Sequence, residues 1–343
     1  MTPELIAAKQ GRVGRIRLNR PAALHALTTD MCVGIIEALA AFESDDAVEA
    51  VVFDHAEGRG FCAGGDIRML ATSGQGDGSD ARTFFHTEYR MNHRLFTYAK
   101  PTVAIMDGIT MGGGVGIALP CRYRVATENT RFAMPETGIG LFPDVGGGWY
   151  LPRLPGQVGK FLALTGARLD GAECLAIGLA THYLTSMDVP DALTALSNTP
   201  ANIHDTLKSH GTGAPLARIV QNRTHIDQLF AADSVKGIMK ALEADDSEWA
   251  AKELATMRTK SPLSMAVAMR QLSEGAAMPD FAAEMRQEYA IGARMVHTPD
   301  FIEGVRALII DRDNAPQWQP RVDPAEVDAI FAPLPADEKW TPL

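Results

Sequence analysis

The sequence has few of the features that mark secreted or membrane proteins. Its 343 residues include only four cysteines, and no two of them form a Cys-x-x-Cys pair. Scattered cysteines of this kind predict reduced, mostly buried thiols in a cytoplasmic protein. No apolar run approaches the ~18 residues of a transmembrane helix, so no membrane partner is expected. The N-terminus carries an early acid and no apolar core, which predicts neither a secretory signal nor a transit peptide.

Acidic residues outnumber basic ones, and the formal net charge is −10. General binding of nucleic acid requires a basic face, so no nucleic-acid partner is expected. An anionic small molecule can still bind through one arginine or through backbone N–H groups. The nine histidines show no metal-ligand spacing, and no metal is assigned. The chain lacks a Gly-x-Ser-x-Gly elbow and a Gly-Lys-Ser/Thr loop, which weakens serine-hydrolase and nucleotide-binding interpretations.

Residues 101–151 hold the features around which the chain is organised. A short apolar strand leads into a glycine cluster, and a second extended segment leads to Pro135 and Glu136. Asp144 follows and stands just before three glycines. Carboxylates in apolar, glycine-rich surroundings are costly to bury without a partner. Glu136 and Asp144 therefore suggest a nucleophile or base beside an acid or hydroxyl-holding group, although two solvated loop carboxylates are the simpler alternative.

Two glycine turns suggest a binding site for an oxyanion. The cluster Gly112–Gly114 lies between a strand and an apolar helix, which leaves free N–H groups at a helix N-terminus. Gly64 and Gly65 form a similar turn before Asp66, which is also expected to cap the helix that follows. One N–H from each turn would make a two-donor oxyanion hole. The alternative is that the glycines serve close packing of helix on strand.

The pattern of the first two hundred residues is strand, glycine turn and helix, repeated, which predicts an α/β arrangement. Within it we expect a strand at 11–18, a helix that begins near Thr28, and a mobile loop over 72–81. Glu88 falls in a predicted helix, Phe84 to Tyr98, where a solvated carboxylate is the simpler expectation. After about residue 200 the sequence predicts no further strands. Later helices are predicted at 235–242, 249–257, 262–272, 281–295 and 301–310, which gives two regions, 1–205 and 206–343.

These residues together resemble the enoyl-CoA hydratase/isomerase (crotonase) superfamily, and within it the 3-hydroxyisobutyryl-CoA hydrolases. The resemblance spans nearly the whole chain. It is carried by residues 61–67, 84–89, 108–116, 132–137, 140–148, 162–166 and 303–307. It implies a crotonase-like spiral of repeated ββα units followed by an α-helical C-terminal region. It also implies hydrolysis of a short branched 3-hydroxyacyl-CoA thioester in valine degradation, with coenzyme A as part of the substrate and no separate cofactor.

The resemblance also assigns roles. The N–H groups of Gly65 and Gly113 would hold the thioester oxygen, and Glu136 and Asp144 would be the catalytic acids. Glu88 would contact substrate together with Gly113, Glu136 and Asp144. The carbonyl of Ala63 and the side chain of Arg68 would bind coenzyme A. Whether Glu136 acts as nucleophile or as general base stays open.

One departure separates this chain from the hydratases of the superfamily. Those enzymes use two glutamates to activate water, and one of them falls where this chain has Gly116. Hydration is therefore disfavoured, but a hydratase or isomerase acting on an unsaturated acyl-CoA is the first alternative. A non-catalytic acyl-CoA-binding relative is the second. A homo-oligomer is possible, or the C-terminal helices fold back over their own core.

Overall fold

The structure is a computed structural model that describes residues 2–343. In these residues the strands are β1 Leu5–Gln10, β2 Val13–Leu18, β3 Ala50–His55, β4 Gly60–Cys62, β5 Thr102–Met106, β6 Ile109–Met111, β7 Tyr123–Ala126, β8 Arg131–Ala133, β9 Leu169–Asp170 and β10 His182–Tyr183.

The helices of the first half are α1 Thr29–Ser44, α2 Ile67–Gln75, α3 Ser79–Phe96, α4 Gly113–Ala118, α5 Gly147–Tyr150, α6 Val158–Thr165 and α7 Gly171–Ala176. Those of the second half are α8 Val189–Asn198, α9 Ile203–His210, α10 Arg218–Gln221, α11 Arg223–Leu229, α12 Val235–Ala244, α13 Glu248–Met257, α14 Pro262–Gly275, α15 Phe281–Met295, α16 Pro299–Val305 and α17 Pro324–Phe331. Short 3-10 helices occupy Pro21–Ala23, Glu136–Gly138, Leu151–Arg153 and Pro200–Asn202, and a π-helical turn spans Arg306–Ile310.

The strands form two sheets. A six-stranded sheet has the order β1-β2-β3-β5-β7-β10, and a four-stranded sheet has the order β4-β6-β8-β9. Apart from the β1–β2 and β8–β9 pairs, neighbouring strands run parallel. Since a strand of the small sheet follows a strand of the large sheet along the chain, the glycine turns are brought to the ends of the small sheet.

Successive side chains of a strand point to opposite faces of the sheet, and in the large sheet both faces are buried. Ile16, Phe53 and Met106 belong to the main core, whereas Val52 and Ile105 face a separate apolar cluster. Helices α8 and α9 pack onto this face and contribute five residues to the second cluster, Val189, Ala192, Leu196, Ile203 and Leu207. Burial on both sides explains why β3 and β5 read as continuous apolar runs.

Strand β1 is absent from the sequence prediction, which placed a single strand over 11–18. Only Leu5 of β1 is buried, so this edge strand lacks the alternation by which a half-buried strand is recognised. It pairs with β2 through a tight turn in which Gly11 has φ +58°.

The prediction of a mobile loop over 72–81 is wrong. Helix α2 continues to Gln75, and α3 begins at Ser79. Gly74 is there for packing, because a Cβ at this position would overlap the carbonyl of Val296. The Ser73 hydroxyl also accepts a hydrogen bond from the Ala81 N–H at 3.0 Å, which fixes the short connection.

The C-terminal helices fold back over their own core, with α15 packed on α3 and α16 packed on α2. The five that were predicted begin within two residues of the expected position, and α14 shows why. Ser261 caps its N-terminus, and Pro262 occupies its first turn. Helices α8 to α11 and α17 are missing from the sequence prediction. The division at 205/206 and the homo-oligomer stay predictions.

All four cysteines are buried as free thiols. Burial raises the pKa of each of them, to about 12 for Cys62 and for Cys121. Within residues 2–343, no helix combines the length and the apolar character that crossing a bilayer demands.

Candidate active site

The two glycine turns lie against each other. The N–H of Leu27 donates to the carbonyl of Gly64 at 2.7 Å, and the N–H of Asp66 donates to the carbonyl of Leu27 at 3.0 Å. These bonds hold the turn at Gly64 against Leu27, and on the facing turn a Cβ on Gly112 would stand 3.1 Å from Cα of Gly64. In residues 2–343, neither Gly65 nor Gly113 donates its N–H to a protein acceptor. Two free donors on adjoining turns can polarise one carbonyl oxygen.

Close approach explains why these positions are glycine. A Cβ on Gly65 would lie 2.8 Å from the ring of Phe84, and a Cβ on Gly113 would lie 2.6 Å from Oε1 of Glu88. Distances below 3.0 Å require a neighbour to move. The glycines therefore serve close packing as well, which was the alternative to the oxyanion site, and they also keep their N–H groups free.

A cavity of about 70 Å³ opens beside the turns. Its walls contain both glycine turns, three carboxylic acids and an apolar remainder. The lining residues are Ala63, Gly64, Gly65, Ile67, Leu70, Phe84, Phe85, Glu88, Met111, Gly112, Gly113, Pro135, Glu136, Ile139, Leu141 and Asp144. The structure thus brings together every residue given a role from the sequence except Arg68.

Glu136 is placed by the 3-10 turn that it begins. Its carbonyl accepts hydrogen bonds from the N–H groups of Ile139 and Leu141, which fixes the backbone. Its side chain is buried, and Oε1 lies 3.4 Å from where a Cβ on Gly112 would stand. Oε2 has no hydrogen-bond partner among the described residues. Burial, with the charge of Asp144, raises the pKa of Glu136 well above its usual range.

The side chain of Glu88 extends from α3 into the cavity, so the expectation that this carboxylate is solvated is wrong. The residue is 2% exposed, and its Oε1 has no hydrogen-bond partner in the described part of the chain. Burial is the main cause that raises its pKa well above the usual range, and the charges of Asp144 and Glu136 add to it. An acid held neutral in this way can donate a hydrogen bond to a ligand.

Asp144 is the carboxylate of the site that accepts a hydrogen bond from a described side chain. The hydroxyl of Tyr89 donates to its Oδ2 at 2.8 Å. Burial raises the pKa of Asp144 to about 6, although the Tyr89 hydrogen bond lowers it. Asp144 is therefore largely ionised at neutral pH, beside two acids, Glu88 and Glu136, whose pKa values burial also raises.

Arg68 lies apart from this cavity. It is exposed on α2, and its guanidinium donates to the carbonyl of Ile309 at 2.9 Å, in the π-helical turn. Its contact with coenzyme A stays a prediction. Asp66 caps α2 as expected, since its side chain accepts from the N–H of Met69 at 3.3 Å.

Gly116 is the position of the missing second glutamate, and the structure leaves it no room. A Cβ there would stand 2.6 Å from Nδ2 of Asn92 and 2.7 Å from Cβ of Val145. Asn92 is itself fully buried and donates to the Gly116 carbonyl at 3.0 Å. A larger residue at 116 would displace a hydrogen-bonded side chain.

Sequence reasoning missed two polar residues of the site, Tyr89 and Asn92. Both lie on α3, one and four positions after Glu88, and both are completely buried. The i, i+4 spacing of Glu88 and Asn92 on an otherwise apolar helix face was the available signal for Asn92. In residues 2–343, no group of three or more His, Cys, Asp or Glu side chains is arranged to hold a metal ion.

Comparison with known proteins places this geometry in a family. The enoyl-CoA hydratase/isomerase family profile matches residues 13–331. A relative from Xenopus tropicalis, "3-hydroxyisobutyryl-CoA hydrolase, mitochondrial", is 42% identical over 96% of this chain and 89% of its own length. That name places the relative in mitochondria and does not support a cytoplasmic location for this chain, which stays a prediction.

Two solved structures cover almost all of the chain. A carnitinyl-CoA dehydratase from Mycobacterium thermoresistibile superposes with a TM-score of 0.94 at 37% identity over 99% of both chains. An enoyl-CoA hydratase from Rhodobacter sphaeroides 2.4.1 gives 0.91 at 39% identity, over 98% of this chain and 99% of that one. These matches confirm the α/β fold with its helical C-terminal region. With paired glycine turns, a carboxylate cavity and a family match over most of its length, the chain belongs to the enoyl-CoA hydratase/isomerase family.

Proposed function

We propose that this protein hydrolyses the thioester bond of a short 3-hydroxyacyl-CoA, and that 3-hydroxyisobutyryl-CoA is its substrate. The observation that carries the proposal is the grouping in one cavity of two free N–H donors, Gly65 and Gly113, with Glu136 and Asp144. The name of the Xenopus relative supports the choice of substrate. Valine degradation would be the metabolic setting.

The reaction begins with the thioester oxygen between the two N–H groups, where charge develops in the tetrahedral intermediate. Removing one donor of such a pair typically costs about 2.7–4 kcal/mol of barrier. Glu136 must lose the proton that burial favours, and as a carboxylate it then attacks the carbonyl carbon or removes a proton from a water that attacks it. In either case the C–S bond breaks, coenzyme A leaves as thiol after protonation, and water supplies the new carboxylate oxygen.

Asp144 would bind the 3-hydroxyl of the substrate. As an ionised carboxylate it accepts the Tyr89 hydrogen bond and has lone pairs left for a second donor. Glu88, kept neutral by burial, would donate a hydrogen bond to the substrate beside Gly113. The cavity volume of about 70 Å³ is small, which favours a short acyl group over a long one.

A hydratase or dehydratase activity is the second candidate. It is supported by the titles of the two superposed structures. Against it stands Gly116, where neither a second glutamate nor the space for one is available. Glu88 is the acid that would have to replace it.

The test is a Glu136→Gln variant assayed for free-thiol release from a panel of 3-hydroxyacyl-CoA thioesters. We expect kcat to fall by ~10²–10⁴-fold, the usual contribution of a positioned acid or base, while coenzyme A binding is kept. Glu253→Gln is the matched control, because Glu253 is also buried but faces Lys252 on α13. It should retain activity.

Three outcomes would contradict the proposal. Wild-type turnover by Glu136→Gln would remove Glu136 from the chemistry. Hydration of crotonyl-CoA by the wild-type protein without thiol release would favour the hydratase. Tight acyl-CoA binding with neither reaction would indicate the non-catalytic relative.

A further inference from the structure

The backbone around Asp144 adopts a conformation that requires support from outside. Val145 has φ +53° and Gly146 has φ +94°. A left-handed conformation is a genuine outlier for a β-branched residue such as valine. It persists only where the surroundings impose it. We call residues 144–148 the Asp144 turn.

Glu288, on α15, supplies that support from the other side of the turn. It is completely buried, and both of its carboxylate oxygens accept hydrogen bonds from the turn. Oε2 accepts from the N–H of Gly146 at 2.8 Å, and Oε1 accepts from the N–H of Gly148 at 3.1 Å. Helix α5 has no side-chain cap of its own, so Glu288 satisfies N–H groups that would otherwise be unpartnered.

Gln271, on α14, completes the attachment. Its Nε2 donates to the carbonyl of Pro143 at 2.9 Å and to Oε1 of Glu288 at 3.0 Å. Asp144 is therefore fixed on both sides, by the carbonyl before it and by the N–H groups after it. These contacts come from α14 and α15, far along the sequence from the cavity-lining residues.

A second buried acid, Glu284, lies one turn before Glu288 on α15. Neither of its oxygens accepts a hydrogen bond from a described donor, and it is close enough to Glu288 to share a proton. Burial raises the pKa of Glu284 to about 7. Burial and the charges of Glu284 and Asp144 raise the pKa of Glu288, whereas its hydrogen bonds from Gly146 and Gly148 lower it. These N–H donors, with Nε2 of Gln271, all point to Glu288 and favour the anion there over Glu284. Arg153 and Glu274 are the other charged groups that face Glu284, and Asp144 is the one that faces Glu288.

We propose that Glu288 is a positioning residue for Asp144. Its carboxylate holds the Asp144 turn in the conformation that points the Asp144 side chain into the cavity, where the 3-hydroxyl of the substrate binds. This inference rests on the proposed function for the identity of the ligand. It gives the C-terminal region a part in substrate selection.

The first test compares two thioesters on a Glu288→Gln variant. Glutamine keeps the volume but replaces one acceptor oxygen by an NH₂ group that faces an N–H donor. For 3-hydroxyisobutyryl-CoA, kcat/KM should fall by on the order of 10²-fold, the effect of a small misplacement of a reacting group. Slow hydrolysis of isobutyryl-CoA, which lacks the 3-hydroxyl, should be unchanged, and Glu253→Gln should alter neither substrate.

A double-mutant cycle separates positioning from a general structural role. In an Asp144→Asn background, adding Glu288→Gln should cause no further loss, because the two residues act as one unit. Equal loss on both thioesters, or additive losses with Asp144→Asn, would overturn the proposal. If Glu288→Gln does not fold, Gln271→Met takes its place. It removes the Pro143 attachment and should show the same selectivity for the hydroxylated thioester.

Binding measurements distinguish this proposal from the proposed function. In a Glu136→Gln background, calorimetry gives the affinities for the two acyl-CoA ligands without turnover. Adding Glu288→Gln should weaken binding of the 3-hydroxyacyl ligand and leave the other unchanged. That result would support Glu288 even if the wild-type protein released no thiol, whereas an equal change in both affinities would refute it.

Discussion

Replacing Asp144 by asparagine is expected to stabilise the protein above pH 6 while it lowers activity. Burial raises the pKa of Asp144 from 3.8 to about 6, so the folded protein binds this proton more tightly than the unfolded chain does. Ionising Asp144 in the folded state therefore costs free energy, and each pKa unit corresponds to 1.36 kcal/mol. The full cost at pH 8 is about 3 kcal/mol on this basis.

The sign of the pH dependence follows from the same shift. Well below the unfolded-state pKa of 3.8 both states carry a protonated Asp144, and the contribution vanishes. As the pH rises to about 6 the wild-type protein loses this stability, and above about 7 the loss is constant. Asparagine is neutral throughout, and its amide oxygen can still accept the Tyr89 hydrogen bond. The gain in the variant should therefore grow with pH and then level off.

Urea unfolding of both proteins between about pH 5 and pH 8 measures this difference. Glu173→Gln is the contrasting control. Glu173 is also buried, but its carboxylate accepts hydrogen bonds from the N–H groups of Asp170 and Ile219 and from Arg218. Its replacement should destabilise the protein. A variant at Asp144 that is less stable than wild type at pH 8, or whose gain does not change with pH, would refute the reasoning.

Two further predictions concern neighbours of the same carboxyl groups. Tyr89→Phe removes the hydrogen bond that lowers the pKa of Asp144, so this pKa should rise above about 6. The acidic limb of the pH–rate profile should move to higher pH, and an unmoved limb would contradict the assignment. Gly113→Ala places a methyl carbon 2.6 Å from Oε1 of Glu88 and should lower kcat with the fold intact, as checked by circular dichroism. Unchanged kcat would show that the position of the Glu88 side chain beside Gly113 is not critical.

The chemistry of the site could be predicted where it depends on local sequence. Gly112–Gly114 and the Pro135–Glu136 pair occur at points where the backbone must turn, and short-range patterns report such turns. The helix caps at Asp66 and Ser261 follow from the same kind of local hydrogen bonding.

The rest depends on contacts between distant parts of the chain. Glu88 occupies a helix position that an isolated helix would expose, and only packing against the glycine turns buries it. Glu288 reaches the Asp144 turn across 140 or more residues of sequence. The loop expected over 72–81 is helical because Gly74 and Ser73 pack against the C-terminal region and α3. No periodicity within a window of one helix contains that information.

The burial of all four cysteines has a practical consequence for enzymology. A thiol reagent reacts with the thiolate, and the pKa of each cysteine in this chain is raised by burial, to about 12 for Cys62. A disulfide reagent that reports released coenzyme A should therefore give no signal from the cysteines of the folded protein. When the chain unfolds, four new thiols become reactive. One colorimetric trace can then report both turnover and the integrity of the protein that performs it.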